Sequence, residues 1–424
     1  MPPSSIQKPL DIAIVGGGIA GLALAISLLK HCHINLTIYE SAQRFGEIGA
    51  GVAFGSNAVS AMALIDPRIK EGFEKVATRP LWDSKKKLWF DFRYGKDFGE
   101  GMMTGDKVAS VDNTGDAGTV HRADFLDALV HLIPDGCAQF GKRMVAMVDE
   151  GDAGVSLKFN DGTEARHTAV IGCDGIKSRV RNYILGAANP SAHPTFSGKS
   201  CHRGLVPMEK AVLVLGEELA QSNNLFMGPG GHIAFFPVQQ GRTMNVVAHH
   251  SCPSWDNTDW VIPATREELL AEYEGWGEPV QKILRLMQDL NTWALFDMPA
   301  VDVYYKGRVC LTGDAAHAST PHQGSGAAMA MEDAYVLGIL LGDAKDPSSL
   351  QVAFAAYDNV RRPRTQKLVA TSREASHLFS MELPGVGANR EALKESIEGR
   401  MSWIWDEDLT SEVCAARNIV QKSL

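Results

Sequence analysis

The stretch from Asp11 to Glu40 constrains the fold more than any other part of the chain. Asp11-Ile-Ala-Ile-Val15 is a short apolar run of β-type residues, broken at once by Gly16-Gly-Gly18 and followed by the helix-forming Ala20 to Lys30. Ile34-Asn-Leu-Thr-Ile-Tyr39 reads as a second strand and ends at an acid, Glu40. Strand, glycine turn, helix, strand and acid in that order make a βαβ unit, which requires a parallel sheet. In Gly16-x-Gly18-x-x-Gly21 the glycines serve the tight turn, the bare backbone beside a pyrophosphate and the close helix–strand contact. A helix starting near Ile19 points free N–H groups and a positive dipole end at the phosphates. Glu40 lies 19 residues after Gly21, where a carboxylate accepts from ribose hydroxyls and repels a 2′-phosphate. The unit predicts a bound dinucleotide, with NAD and FAD both open.

A chain of 424 residues is too long for one core and predicts two domains. Two later apolar runs end as the first does: Thr168 to Cys173 in Asp174-Gly175, and Val309 to Thr312 in Gly313-Asp314. Such turns are expected where strand ends of a parallel sheet meet a ligand. Leu81 to Phe98 and Ser197 to Pro299 instead alternate apolar with polar residues and are richer in aromatics, as in His232-Ile-Ala-Phe-Phe-Pro237. They predict an antiparallel sheet inserted into the nucleotide domain. From Ala327 onward the pattern is helical, with a break at Asp346-Pro347.

The predicted class is therefore α/β. A Rossmann-type dinucleotide-binding domain, assigned to FAD by the second motif below, comprises 1–80, 105–185 and 300–365; an inserted, mainly antiparallel β-sheet substrate domain comprises 81–104 and 186–299; a helical C-terminal segment covers 366–424. That last segment either caps the substrate cavity or forms a subunit contact, which leaves a homodimer open.

The net charge of −9 disfavours nucleic acid and anionic membrane surfaces, and Arg361, Arg362 and Arg364 form the one dense basic cluster. No apolar run reaches the roughly 18 residues of a membrane span. Seven cysteines lie scattered without CxxC spacing, which fits a reducing compartment. The first ten residues hold a single cation, Lys8, and the apolar run after them is broken by glycines, unlike a signal peptide. The terminal Lys422-Ser423-Leu424 is not the Ser-Lys-Leu peroxisomal signal, so the cytoplasm is the expected location. No HExxH, 2-His-1-carboxylate or GxSxG pattern occurs. His31-Cys32-His33 and His249-His250 with Cys252 read as a helix end and a strand, so no metal is expected.

A distant second motif separates FAD from NAD. Arg308-Val-Cys-Leu-Thr-Gly-Asp314-Ala-Ala-His317 precedes Pro321-His-Gln-Gly324-Ser325-Gly326, and a helix begins at Ala327. This second glycine-rich loop at a helix start is a second anion-receptive site, placed for the flavin end of a long cofactor. Asp314 can accept from a polyol such as the ribityl chain.

With Cys173-Asp174-Gly175-x-x-Ser178-x-x-Arg181 between them, these motifs resemble those of the single-component, class A FAD-dependent aromatic hydroxylases. The similarity lies in the salicylate hydroxylase-like branch, which includes fungal dearomatising monooxygenases of polyketide secondary metabolism, and runs from about Asp11 to Arg364. It implies that Glu40 binds the adenosine ribose, Asp314 the ribityl–pyrophosphate region, and the Gly324–Gly326 loop with Ser325 and Pro321 the isoalloxazine edge. It implies that Arg122 reaches the FAD phosphates. It also associates Asp174-Gly175 with the pyrophosphate and with a transient visit by NAD(P)H, and places His317 and His322 near the flavin.

In the inserted sheet, Cys201-His202-Arg203-Gly204 matches a strand where such hydroxylases often carry an arginine against the substrate. Arg203 is the candidate for stabilising a phenolate, with His202 as its neighbour. A fixed cation lowers the phenol's pKa, and the phenolate enriches its ortho and para carbons for attack. Where some relatives hold the substrate oxygen with a tyrosine, this chain has Phe235 and Phe236, leaving the role unfilled or taken by His232. The implied reaction is hydroxylation of a phenolic aromatic by NAD(P)H and O₂ through a flavin C4a-hydroperoxide. A carboxylate at the attacked carbon would leave as CO₂; an alkyl group there would leave a dearomatised hydroxy-dienone. The alternatives are an FAD oxidase or dehydrogenase without external NAD(P)H, against which Asp174-Gly175 speaks, and a non-catalytic flavin-binding module.

Overall fold

A computed structural model of the chain describes residues 10–46, 51–99, 101–113 and 115–423. The leader reading at Lys8 and the terminal signal reading at Leu424 concern residues outside these.

The βαβ unit forms as expected. Leu10–Val15 pairs in parallel with Ile34–Tyr39 on one side and Ala169–Gly172 on the other, and Ala169–Gly172 pairs in parallel with Val309–Leu311. Ala138–Gln139 and the antiparallel Tyr305–Lys306 complete a six-stranded sheet at its two edges. The register sets Val15 opposite both Tyr39 and Gly172, and Gly172 opposite Leu311. Four strands thus stop level with one another, so Gly16, Glu40, Cys173 and Thr312 follow on one edge of the sheet. Three motifs separated by hundreds of residues meet there because parallel strands share a carboxyl end.

The helix Ile19–Leu28 is apolar nearly all round and buried nearly all round, as a helix held between a sheet and a second helix must be. That second helix is Gly326–Asp343, and it approaches so closely that a Cβ on Gly338 would stand 2.1 Å from Ser27 Oγ.

The inserted sheet has eight strands in the spatial order Val261–Pro263, Gln288–Asp297, Thr195–Pro207, Thr243–Ser251, Gly231–Val238, Asn224–Gly228, Leu88–Tyr94 and Lys107–Asp112. All neighbours are antiparallel except Asn224–Gly228 with Leu88–Tyr94. The expected boundary at 104/105 therefore falls too early, because Lys107–Asp112 pairs with Leu88–Tyr94 inside this sheet. A further three-stranded antiparallel sheet, Met144–Asp149, Val155–Phe159 and Glu164–His167, was not foreseen.

The C-terminal region is helical throughout: Leu350–Phe379, Arg390–Glu398, Ser402–Trp405 and Leu409–Ser423. The expected limit at 365/366 falls inside the first of these helices. Among the described residues, no helix is long and apolar enough to cross a membrane.

The basic cluster is an internal structure, not a surface one. Arg361 is fully buried and reaches Glu332 Oε2 at 2.8 Å, Asp333 Oδ1 at 2.8 Å and Glu412 Oε2 at 2.9 Å. Arg364 pairs with Glu332 at 2.8 Å, and its Nη2 donates to Ile404 O at 2.7 Å. Together they clamp the Gly326–Asp343 helix to the Leu350–Phe379 helix and to the chain terminus. Only Arg362, paired with Asp358 at 2.9 Å, keeps a partly exposed side chain.

Candidate active site

A cavity of about 680 Å³ opens at the carboxyl edge of the parallel sheet and runs under the inserted sheet. Of the residues expected to hold the cofactor, all but Gly21 line it. Gly21 serves packing instead: a Cβ there would meet Gly16 O at 2.1 Å. Gly16 itself has φ +109°, and its Cβ would lie 2.3 Å from Cys173 O, so only glycine lets adjacent strand ends approach this closely.

Two helix starts face this one cavity. Gly18 precedes Ile19–Leu28 and Ser325 precedes Gly326–Asp343, and neither helix start is capped by its preceding side chain. The first-turn N–H groups are therefore available to anionic oxygens. Glu40 accepts from Gly17 N at 2.8 Å and Ala42 N at 2.7 Å, which turns its carboxylate across the glycine loop where a ribose would lie. Arg122 is half-buried in the wall, and burial pulls its guanidinium below the ordinary value; Asp314 opposes that pull and Arg203 adds to it. A long, doubly anionic dinucleotide fits this donor set: open helix starts and a half-buried arginine for the phosphates, carboxylates for the hydroxyls.

Asp174 lines the cavity but also builds its rim. Its carboxylate accepts from Ser178 Oγ at 2.5 Å and Arg179 N at 2.7 Å, and Ser178 Oγ accepts from Arg181 N at 2.9 Å. Burial raises the Asp174 carboxyl above its usual range, with these hydrogen bonds opposing. The fully buried Arg181 then donates to Pro299 O at 2.8 Å and Ala316 O at 2.5 Å, tying this motif to the Asp314–His317 turn. His317 stays out of the cavity: its Nε2 lies 2.6 Å from Asp333 Oδ2, so it joins the buried ion cluster to the same turn.

At the far end, Arg203 projects from Thr195–Pro207 into the cavity, with its guanidinium carbon 4.7 Å from the centre of the Trp293 ring. Val247, cross-strand from Arg203, and His249, cross-strand from Cys201, share this wall. His322, from the loop before Gly324, completes it; its ring centre is 4.8 Å from that of His249. Both ring nitrogens of His322, Nδ1 of His249 and Nε of Arg203 are buried without a protein hydrogen-bond partner. These two histidines were not singled out as substrate-side residues above.

Two expected residues are placed differently. His202 points to the opposite face of the sheet from Arg203, as strand alternation demands, and its Nε2 meets Glu272 Oε2 at 2.7 Å. It does not contact the cavity, so the expected role beside Arg203 is withdrawn. His232 lies one layer behind the wall, its ring stacked at 4.4 Å on His249 and its Nδ1 3.3 Å from Ser380 Oγ. It can orient His249 but does not itself line the cavity. Phe236 does line it, whereas Phe235, one residue earlier, turns away to stack on Phe226. The C-terminal segment contributes Phe379, Ile397, Arg400 and Met401 and so caps the cavity.

Burial drives the imidazoles of His232 and His249 well below their ordinary value and that of His322 down to about 3, so all three are neutral at working pH. In the unfolded chain each titrates near 6.5. The unfolded state therefore binds more protons as pH falls, and stability present above about pH 6.5 is lost below it. For three groups the loss between pH 7.5 and pH 6.0 is on the order of 2 kcal/mol. Urea unfolding of the substrate-free holoenzyme checks this, since His232→Phe should flatten the dependence by about a third.

An extended cavity fed by two open helix starts, with an arginine-bearing antiparallel sheet over its far end, is the arrangement of a flavoprotein. The comparisons agree. An FAD binding domain model matches residues 134–372, and an NAD(P)-binding Rossmann-like domain model matches residues 14–53. The chain is 42% identical to a 6-methylsalicylate 1-monooxygenase of Aspergillus terreus, covering 98% of this chain and 93% of that protein. It is 41% identical to a salicylate hydroxylase of Pseudomonas putida, over 97% of this chain and 95% of that one. A solved salicylate hydroxylase substrate complex superimposes with a TM-score of 0.86 at 37% identity, covering 97% and 98% of the two chains. The chain belongs to the salicylate hydroxylase family of FAD-dependent aromatic monooxygenases.

Proposed function

We propose that the substrate is a salicylate-class phenol carrying a carboxylate ortho to its hydroxyl, and that the reaction replaces the carboxylate with a hydroxyl. The observation that carries this is the cavity wall formed by Arg203, His249 and His322, which holds buried nitrogens without a protein hydrogen-bond partner. Buried polar groups need partners, and a flat ring with two adjacent oxygen functions supplies them. Arg203 stabilises the phenolate, raising electron density at the carbon to be attacked. His249 and His322, being neutral, can each donate one hydrogen bond and accept another, which suits a carboxylate that must later leave as CO₂. Phe236 and Val247 supply apolar wall around the ring, while Phe379 and Met401 belong to the C-terminal cap that restricts water.

The pyrophosphate of FAD is proposed to lie on the Gly16–Gly18 loop and Arg122, the ribose on Glu40, and the ribityl chain near Asp314. The flavin ring would lie against Pro321, Gly324, Ser325 and Gly326. Bound FAD supplies the reduction by NAD(P)H and the activation of O₂. The balance is one aromatic carboxylate, one O₂, one NAD(P)H and two protons giving one phenol, CO₂, water and NAD(P)⁺. A cytosolic setting is supported by seven cysteines that are all free thiols.

Product analysis under isotopically labelled O₂ tests the reading, using salicylate, 6-methylsalicylate and alkylated resorcylic aldehydes. A catechol with one labelled oxygen, with CO₂ and NAD(P)H consumption in equal amounts, is expected from the salicylates. A labelled product that keeps its carboxylate, or a dearomatised product from the aldehydes alone, would overturn it. Turnover without substrate-dependent NAD(P)H consumption would favour an oxidase.

A further inference from the structure

The face of the inserted sheet turned away from the cavity carries a second constellation that the reaction does not use. His202, His250 and Glu272 each offer one ligand atom, a ring nitrogen or a carboxylate oxygen, and the three lie within 4.8 Å of one another. We propose that His202, His250 and Glu272 form a binding site for a single Zn²⁺-class divalent cation. This goes beyond the flavin chemistry and does not depend on it.

The donor set is the first argument. Two imidazoles and one carboxylate suit zinc and its first-row neighbours, whereas calcium and magnesium want oxygen ligands alone. Three protein ligands leave a fourth tetrahedral position for water, which the exposed Glu272 side of the group opens to solvent.

The second argument is how the rings are held. His202 Nδ1 lies 3.0 Å from Thr292 Oγ1, and His250 Nε2 lies 2.9 Å from Ser200 Oγ. Each ring nitrogen away from the site therefore has a hydroxyl to which it can donate once a cation takes the lone pair of the inward nitrogen. That outer-shell pattern is typical of metal-binding histidines. The two rings are nearly parallel, with planes 18° apart and centres 5.4 Å apart, so both edges can face one ion.

The third argument is what the site lacks without a cation. Glu272 Oε2 stands 2.7 Å from His202 Nε2 and 3.0 Å from His250 Nδ1, yet His250 Nδ1 is buried and makes no hydrogen bond. One carboxylate satisfies one imidazole and leaves the other short. No sequence spacing announces the site, because its ligands come from two strands and a helix.

The ligating residues alternate with those of the cavity wall. His202 precedes Arg203, and His250 follows His249, on neighbouring antiparallel strands. A cation bridging positions 202 and 250 would staple these strands behind the substrate wall, so it is a positioning site and not a catalytic one.

The test uses tag-free, FAD-loaded protein stripped with chelator and titrated with Zn²⁺ alone against a chromophoric chelator. One Zn²⁺ per chain is expected, with at least a 100-fold loss of affinity in Glu272→Gln and in His250→Gln. Thr292→Val, which removes only an outer-shell partner, should weaken binding by about 10- to 100-fold. The thermal midpoint should rise with Zn²⁺ in the wild type and stay fixed in Glu272→Gln. Zinc no tighter in the wild type than in Glu272→Gln overturns the proposal. So does a loss of zinc in His322→Gln, which would assign the ion to the His232, His249 and His322 group. X-ray absorption of the wild-type complex decides independently of any variant's folding: two imidazoles support the site, and three overturn it.

Discussion

Arg203→Ala retains FAD and loses hydroxylation, with kcat/KM falling by about 10²- to 10³-fold, the range seen when one preorganised charge-stabilising donor is removed. The cofactor motifs lie on the parallel sheet and the Gly326–Asp343 helix, whereas Arg203 sits on the inserted sheet, so its loss removes nothing from the cradle. Burial and the nearby Arg203 both work against the charge on Arg122, so truncation should leave the Arg122 cation in place. What disappears is the fixed charge that turns phenol into phenolate. Trp293 preorganises that charge by lying under the guanidinium. Arg203→Lys keeps a charge but loses the planar stack, and should recover only part of the rate. Stopped-flow flavin reduction and product yield separate the steps. Unchanged product formation in Arg203→Ala would remove this residue from the active site.

Arg361→Ala destabilises the protein by about 3–5 kcal/mol, the cost of stripping one partner from a buried ion pair. Arg361 is wholly enclosed, and without it Glu332, Asp333 and Glu412 keep Arg364 and His317 as basic partners but lose the cation that joins all three. Burial opposes charge on Asp333, and in the intact cluster His317 and Arg361 together hold it well below the usual carboxylate range, so the substitution removes one of its two supports. The damage should reach the cofactor as well. Asp333 accepts from Gly313 N at 3.1 Å and contacts His317 at 2.6 Å, and those residues bracket the Asp314 turn. Urea unfolding and FAD dissociation should therefore shift together. Adding Glu412→Ala to Arg361→Ala should cost less than the sum of the single changes, because the two share one interaction. Additive losses would show that the cluster is not a unit.

The cofactor half of the site was legible in the sequence because its chemistry lies in the backbone. Gly16, Gly18 and Gly324 announce turns wherever they stand, and Glu40 and Asp314 sit directly at strand ends. The substrate half depends on side-chain direction, which motifs do not encode. Adjacent residues on a strand face opposite ways, so His202 could not have accompanied Arg203 once that stretch was read as a strand. His249 and His322 meet only through sheet register and a loop returning from the other domain, and their contact leaves no local spacing. Arg361 misled for the same reason: three nearby arginines read as a surface patch, while the carboxylates that bury one of them come from positions 332, 333 and 412. The three-stranded sheet at 144–167 was passed over because its strands are short and half exposed.

The single parallel pairing in the inserted sheet bears on how the chain is made. Asp91 waits for Asn224 as its partner, so 133 positions of chain must emerge between them. At ribosomal speeds of about 5–20 residues per second, this edge stays open for roughly 7–27 s. Leu88–Tyr94 is apolar and aromatic and offers unpaired backbone groups during that interval. Lys107–Asp112 arrives sooner and can cover only its other edge. Birth on the ribosome, more than equilibrium stability, is where this architecture is most exposed to aggregation.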